Sequence, residues 1–165
     1  ARSDGLLQSW SLDLIGGLPG ETPESWRRTL DVAVAAEPDH VSVYDLTIEE
    51  RTAYGRWAAA GNLRGLPADE LSANMFCTAS RELTGAGFEH YEVSNYARPG
   101  HRSRHNSAYW RNTPFLAFGN GAASYVGGRR FSRPRGLHEY GEWVGEYEAK
   151  GRAAQGDTLD AQDWL

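Results

Sequence analysis

At 165 residues, with 40% apolar and 12% aromatic content, the chain has the size of one domain and enough apolar surface for a core, which excludes global disorder. Its formal net charge of −5 gives no reason to expect nucleic-acid binding, and no apolar run is long enough to predict a membrane span. A single cysteine, Cys77, excludes an internal disulfide, a cysteine-rich zinc site and a cysteine-held iron–sulfur cluster within this chain, and points to a reducing, intracellular setting in cytoplasm or organelle.

The chain starts at Ala1 without a methionine and runs almost directly into a strand, so an upstream segment is expected. Residues Trp10 to Ile15 alternate, with Trp10, Leu12 and Leu14 on one face and Ser11, Asp13 and Ile15 on the other, which predicts a strand. Gly16-Gly17-Leu18-Pro19-Gly20 ends it, and Thr22-Pro23 supplies a helix N-cap with proline in the first turn. Trp26, Leu30 and Val34, with Ala33 beside them, form an apolar stripe that stops before Pro38. His40 to Leu46 is rich in β-branched and aromatic residues and predicts a second strand. Strand, helix and strand make a βαβ unit, so the two strands are expected to be parallel, with Asp13 facing away from the helix.

A short helix is expected over 52–60, a linker over 61–67, and a longer helix over 69–84 with Leu71, Met75, Ala79 and Leu83 on one face and Gly85 and Gly87 closing it. Phe88 to Val93 reads as the next strand. Beyond Asn95 the alternation of strand and helix fails, giving loops and short strands, a hairpin turn at Gly127-Gly128, and a last helix over 137–150 with Tyr140, Trp143, Val144 and Tyr147 on one face. This divides the chain into an α/β part over 1–94, an arginine-rich extension over 95–150 and a polar tail over 151–165.

The stretch from Arg98 to Arg135 holds eight arginines, and no acidic residue lies between Glu92 and Glu139. It contributes +8, leaving −13 for the rest of the chain. Surfaces usually mix both signs, so this run suggests an anion site, although a solvated charged face has the same composition. Inside it, His105-Asn106-Ser107-Ala108-Tyr109-Trp110 offers a metal ligand, an amide and two flat rings. Together these features suit a large planar molecule with negative edges. Phe115 to Gly121 reads as a buried strand with close backbone approach.

Asp13 lies on a strand just before a glycine-rich loop, where a carboxylate accepts hydrogen bonds either from a ligand or from neighbouring backbone amides. Asp45 and Thr47 end the second strand, at the ligand face or as an ordinary cap. The glycines at 16, 17 and 20 lack dinucleotide spacing. His40, His90, His101, His105 and His138 form no helical zinc pair, and lone histidines more often bond to carbonyls than to metals.

Ser11-Leu12-Asp13-Leu14-Ile15-Gly16-Gly17-Leu18-Pro19-Gly20-Glu21-Thr22 resembles the late-barrel motif of radical S-adenosylmethionine proteins related to oxygen-independent coproporphyrinogen III oxidase. Glu89-His90-Tyr91-Glu92-Val93-Ser94-Asn95-Tyr96-Ala97-Arg98-Pro99-Gly100, followed by His105-Asn106-x-x-Tyr109-Trp110, is similar to the haem-chaperone branch of that family rather than to the oxidase. The resemblance covers roughly 11–150. It implies an α/β fold, the C-terminal part of an incomplete (β/α)6 radical S-adenosylmethionine barrel followed by a small mixed extension with a C-terminal helix. It also implies Asp13 and Thr47 at S-adenosylmethionine, and His105, Asn106, Tyr109 and Trp110 at haem, with His105 as a candidate ligand of the haem iron. Arg102, Arg104, Arg129 and Arg130 become candidates for the propionates. A haem-receiving protein is an expected partner, and coproporphyrinogen oxidation or a truncated product without function are the alternatives.

Three departures accompany the resemblance. The family usually has tyrosine at the position of Gly16 and glutamine at that of Glu21, and many members have histidine at that of Ala123. The Cys-x-x-x-Cys-x-x-Cys motif that holds the family's 4Fe-4S cluster is absent, and Cys77 cannot replace it. This chain alone is therefore expected to bind no cluster and to cleave no S-adenosylmethionine.

Overall fold

The computed structural model describes residues 9–153, which form two compact units divided between Ser103 and Arg104. The expected start at Ala1 and all but the first residues of the expected polar tail lie outside the described residues. Among the described residues, no helix is long and apolar enough to cross a membrane.

The first unit is built on the expected βαβ. Strand β1 (Ser11–Gly16) pairs with β2 (His40–Asp45) in parallel, with Leu12 opposite Val41, Asp13 opposite Ser42 and Leu14 opposite Val43. Helix α1 (Pro23–Ala35) starts at a capping box: Thr22 accepts from the Ser25 amide, and the Ser25 hydroxyl accepts from the Thr22 amide. Its stripe then buries Trp26, Leu30 and Ala33 completely, against Val41 and Val43 of the sheet and Met75, Ala79 and Leu83 of α3 (Asp69–Gly85). The Trp26 indole nitrogen donates to the Met75 carbonyl at 2.9 Å, tying the two helices. Leu14 packs toward this core while Asp13 stays exposed, so Asp13 faces away from α1, as the alternation predicts.

A short α2 (Ala53–Ala59), capped by Thr52, follows the loop after β2, and the Gly20 amide bonds to the Gly65 carbonyl to hold the linker against the β1 loop. The sheet then departs from expectation. The run from 88 to 93 yields only β3 (Glu89–His90) before the chain turns. The third sheet position is taken by β4 (Asn95–Ala97), antiparallel to β2 and to β3, giving the order β1-β2-β4-β3. All three residues of β4 are buried, so the compact unit continues past 94 and closes at Ser103.

The second unit contains helix α4 (Arg104–Trp110), where loop had been expected, then a hairpin of β5 (Ala123–Val126) and β6 (Arg129–Ser132), and α5 (Leu137–Ala153). Gly127 and Gly128 turn the hairpin with φ of 59° and 77°, the two positive values that a two-residue turn of matching twist requires. The segment from Phe115 to Gly121 is not a buried strand. Phe115 makes a single bridge to Tyr125, while Leu116 and Phe118 are 57% and 80% exposed. On α5, Tyr140, Trp143 and Tyr147 stack along one half-buried face, and the Tyr140 hydroxyl accepts from the Gly119 amide.

Candidate functional site

In-register partners share a face, so the side of the sheet opposite the helices carries Ser11, Asp13, His40, Ser42 and Asn95. By the same register it also carries Ile15, Tyr44 and Ala97, so it is polar at its centre and not along its whole length. Asp13 is exposed, and the Asn95 Oδ1 is buried with no hydrogen-bond partner among the described residues. His40 is buried, with Nε2 2.8 Å from the Tyr91 hydroxyl and Nδ1 3.3 Å from Ser11 Oγ. Tyr91 also accepts from the Ser103 amide at 3.3 Å. Neither contact of His40 needs the imidazolium. Burial lowers its pKa, and Asp13 and Glu92 only partly offset this.

A pH prediction follows from that shift. The unfolded chain protonates His40 near pH 6.5, while the folded chain holds it neutral to lower pH, so between those two values the unfolded state binds more protons. This contribution to stability is complete above about pH 6.5 and is lost as pH falls through that window. Denaturation midpoints measured from pH 7.5 downward should show a slope that His40→Gln removes, and an identical slope in both proteins would exclude His40 as its source.

Thr47 is exposed beyond the end of β2, and Asp45 Oδ1 stands where a Cβ on Gly17 would fall, at 2.6 Å. Glu21 accepts from the amides of Gly17 and Leu18 at 2.7 and 3.2 Å, so its carboxylate closes the β1 loop. At Gly16 an added Cβ would meet the Trp26 indole at 3.4 Å, which puts this position on the helix side of β1 and not on the polar face. A cavity of about 500 Å³ lies there, lined by Gly17, Trp26, Asp45, Asp69 and Phe76 among others, and neither Asp13 nor Thr47 borders it.

Most of the histidines and several arginines have structural tasks. His90 stacks on Tyr96 at 4.2 Å, and His101 bonds to Ser9 beside Asp39 in the first unit. Arg98 donates to the Ala86 carbonyl and covers the Phe88 ring, while Arg102 pairs with Glu89 at 2.9 Å. Arg133 is buried, donates to Ser124 and lies against the rings of Phe118 and Trp143. The acid-free run is therefore not one anion surface. Arg104, Arg111, Arg129, Arg130 and Arg135 remain exposed.

The second unit holds a cavity of about 510 Å³, within the range of small-molecule sites. Its lining includes Tyr109 of α4 and Phe115, which meet edge to face at 4.5 Å, Tyr125, which is bridged to Phe115, and Arg130, the cross-strand partner of Tyr125 on the hairpin of β5 and β6. Ala117, Ala122 and Ala123 keep it open, and no carboxylate lines it. Of the expected haem residues, Tyr109 borders the cavity and His105 does not. The His105 imidazole instead meets the Tyr109 ring edge-on at 4.6 Å, one helical turn away. Trp110 is 60% exposed and Asn106 half-buried, both off the lining. Tyr125 was missed by sequence reasoning, because only the hairpin register brings it beside Arg130.

No family model matches the chain. It is 45% identical over 153 residues to the heme chaperone HemW of Synechocystis, covering 93% of this chain and 37% of that protein. It is 40% identical to HemW of Mycobacterium tuberculosis over 80% of this chain and 34% of that protein. The chain belongs to the HemW-like family of radical S-adenosylmethionine proteins. A mitochondrial radical S-adenosyl methionine domain-containing protein 1 from Danio rerio is 36% identical over 88% of the chain. The fold matches that of coproporphyrinogen III oxidase (HemN) from Escherichia coli, a radical SAM enzyme, with a TM-score of 0.69 and 25% identity over 88% of this chain and 36% of that one. The four-stranded sheet and its helices thus correspond to part of the radical SAM fold. The chain spans little more than a third of the length of these relatives.

Proposed function

We propose that the chain serves a haem chaperone, and that its second unit carries the tetrapyrrole. The observation that supports this most is the cavity bounded by Tyr109, Phe115, Tyr125 and Arg130, with aromatic walls, one guanidinium and no opposing carboxylate, in a chain whose relatives are named heme chaperones. In this reading Arg130 meets a propionate, Tyr109 and Phe115 contact the macrocycle, and His105 and Trp110 flank the same helix. Arg104 and Arg129 are exposed and can add charge, whereas Arg102 is already paired with Glu89. A haem-receiving protein would be the partner.

The polar sheet face suits S-adenosylmethionine. Its amine and ribose hydroxyls are donors, and Asp13 and the orphaned Asn95 Oδ1 are acceptors, with Thr47 beyond the strand ends. When bound in such a protein this cofactor supplies methyl or radical chemistry, and Asp13 would orient its polar end. A 4Fe-4S cluster does not fit this chain: Cys77 is the one cysteine, exposed on α3, and no metal-binding cluster of side chains occurs among the described residues.

Titration of the intact protein with haemin, followed by absorbance and tryptophan quenching, tests the haem reading. Arg130→Ala is expected to weaken binding by ~1–3 kcal/mol, the value of a lost charge-assisted contact, and to leave the spectrum similar. Unchanged affinity in this variant would remove Arg130 from the site, and absence of any stoichiometric complex in the native protein would defeat the reading. The structural likeness to HemN supports a second reading, oxidation of a tetrapyrrole that also bears carboxylates. Anaerobic decarboxylation of coproporphyrinogen III by the intact protein would favour it.

A further inference from the structure

The wall of the second-unit cavity limits what can bind iron there. Arg130 has no lone pair to give, Phe115 and the alanines have no donor atom, and the Asn112 amide is a weak ligand. Two phenols remain, Tyr109 and Tyr125. They are not equivalent. Tyr125 sits directly across the hairpin from Arg130, so it shares the carboxylate edge with the guanidinium. Phe115 is bridged to Tyr125, and Tyr109 of α4 packs on Phe115 and on His105 edge to face at 4.5 and 4.6 Å, so along the lining Tyr109 is the phenol set back from the guanidinium, where the metal of a tetrapyrrole held by its carboxylate edge would lie.

We propose that Tyr109 is the axial ligand of the iron and that the cavity is therefore selective for ferric over ferrous haem; this rests on the haem reading above. On capture the Tyr109 O–H bond breaks, its proton goes to solvent, and the phenolate electron pair forms the bond to Fe(III). No electron changes hands. A phenolate is a hard anionic ligand known among haem proteins and favours the higher charge, so one electron from an external one-electron reductant weakens the bond, and the phenolate takes back a proton as ferrous haem leaves. The site thus captures haem in one oxidation state and gives it up in the other. His105 acts as a positioning residue, holding the Tyr109 ring by its edge.

The test uses the intact protein with ferric haemin, and ferrous haem generated by dithionite, in four forms: native, Tyr109→Phe, Tyr125→Phe and His105→Ala. Near-ultraviolet circular dichroism confirms folding of each. The native complex is expected to show a phenolate-to-iron charge-transfer band and phenolate modes in resonance Raman, and to lose affinity on reduction. Tyr109→Phe should abolish these signatures and weaken ferric binding by at least the ~10–100-fold that loss of an outer-shell partner costs a metal site. Tyr125→Phe and His105→Ala should keep the signatures. Tyr109→His should restore binding with an imidazole-type spectrum and without the preference for ferric iron. A stoichiometric native complex that lacks the phenolate signatures, or keeps them in Tyr109→Phe, overturns the ligand assignment and leaves the haem reading standing. A native protein that binds neither form of haem overturns both.

Discussion

Trp26→Ala is expected to destabilise the protein by about 3–5 kcal/mol, the cost of emptying a large buried aromatic site. The indole is 1% exposed and packs in one cluster with Leu30, Val43, Met75 and Leu83, and it also donates to the Met75 carbonyl. No side chain at Gly16 can move in to fill the space, since that position has no Cβ and lies against the ring. Domains are stable by only about 5–15 kcal/mol, so the loss is a large share of the total. Trp26→Phe should cost less, because most of the volume remains and the Met75 carbonyl belongs to a helix. Urea denaturation followed by far-ultraviolet circular dichroism measures both. A loss below about 0.5 kcal/mol for the alanine variant, the range of an ordinary surface change, would mean that α1 and α3 are not joined through this side chain.

The parts that were legible in the sequence are those in which local pattern and tertiary packing agree. Thr22-Pro23 caps α1, and of the stripe at 26, 30 and 34 with Ala33 beside it, Trp26, Leu30 and Ala33 are buried and Val34 is partly buried against the same core, so element, face and parallel pairing follow together. Where the pattern is short, the reading failed. Strand β4 has three residues and is defined by its partners on either side, and the aromatic run before it is broken by a turn that lets His90 stack on Tyr96. Helix α4 has seven residues and buries none, so there is no stripe to detect, and Pro99-Gly100 just upstream has the composition of a turn. Phe115 to Phe118 carries the composition of a strand, yet its rings serve as a cavity wall at Phe115 and as a cover for Arg133 at Phe118.

Charge was legible as a total but not by role. Composition cannot show that Arg98 and Arg133 lie against aromatic rings, or that Arg102 is balanced by Glu89 from outside the acid-free run. Nor can it assemble the cavity, whose residues come from a helix, a loop and both strands of a hairpin. The motif from His105 to Trp110 did point to the right helix, but helical periodicity places only Tyr109 on the cavity and turns His105 against its ring.

Gly55→Ala should produce the second large effect, by collision with the main chain. Gly55 is the buried residue of α2, its amide donates to the Thr52 hydroxyl, and an added Cβ would fall 2.2 Å from the Glu49 carbonyl oxygen and 2.7 Å from the Glu50 backbone. All of these are backbone atoms, so no flexible side chain can swing aside. Either the first turn of α2 lifts away from the loop or the loop after β2 moves, and overpacking of this kind costs roughly 1–3 kcal/mol, occasionally more. The affected loop runs back through Thr47 to Asp45, so the change should also disturb that end of the sheet without touching the hairpin cavity of the second unit. Hydrogen exchange would then show increased amide opening over 47–56 and no change over 123–132. Gly61 provides the contrast: it has φ of 68° but open space around its Cβ, so Gly61→Asn, which tolerates that conformation, should stay within about 0.5 kcal/mol of the native protein. Equal stability of Gly55→Ala and the native protein would mean that α2 does not close onto the 49–50 backbone.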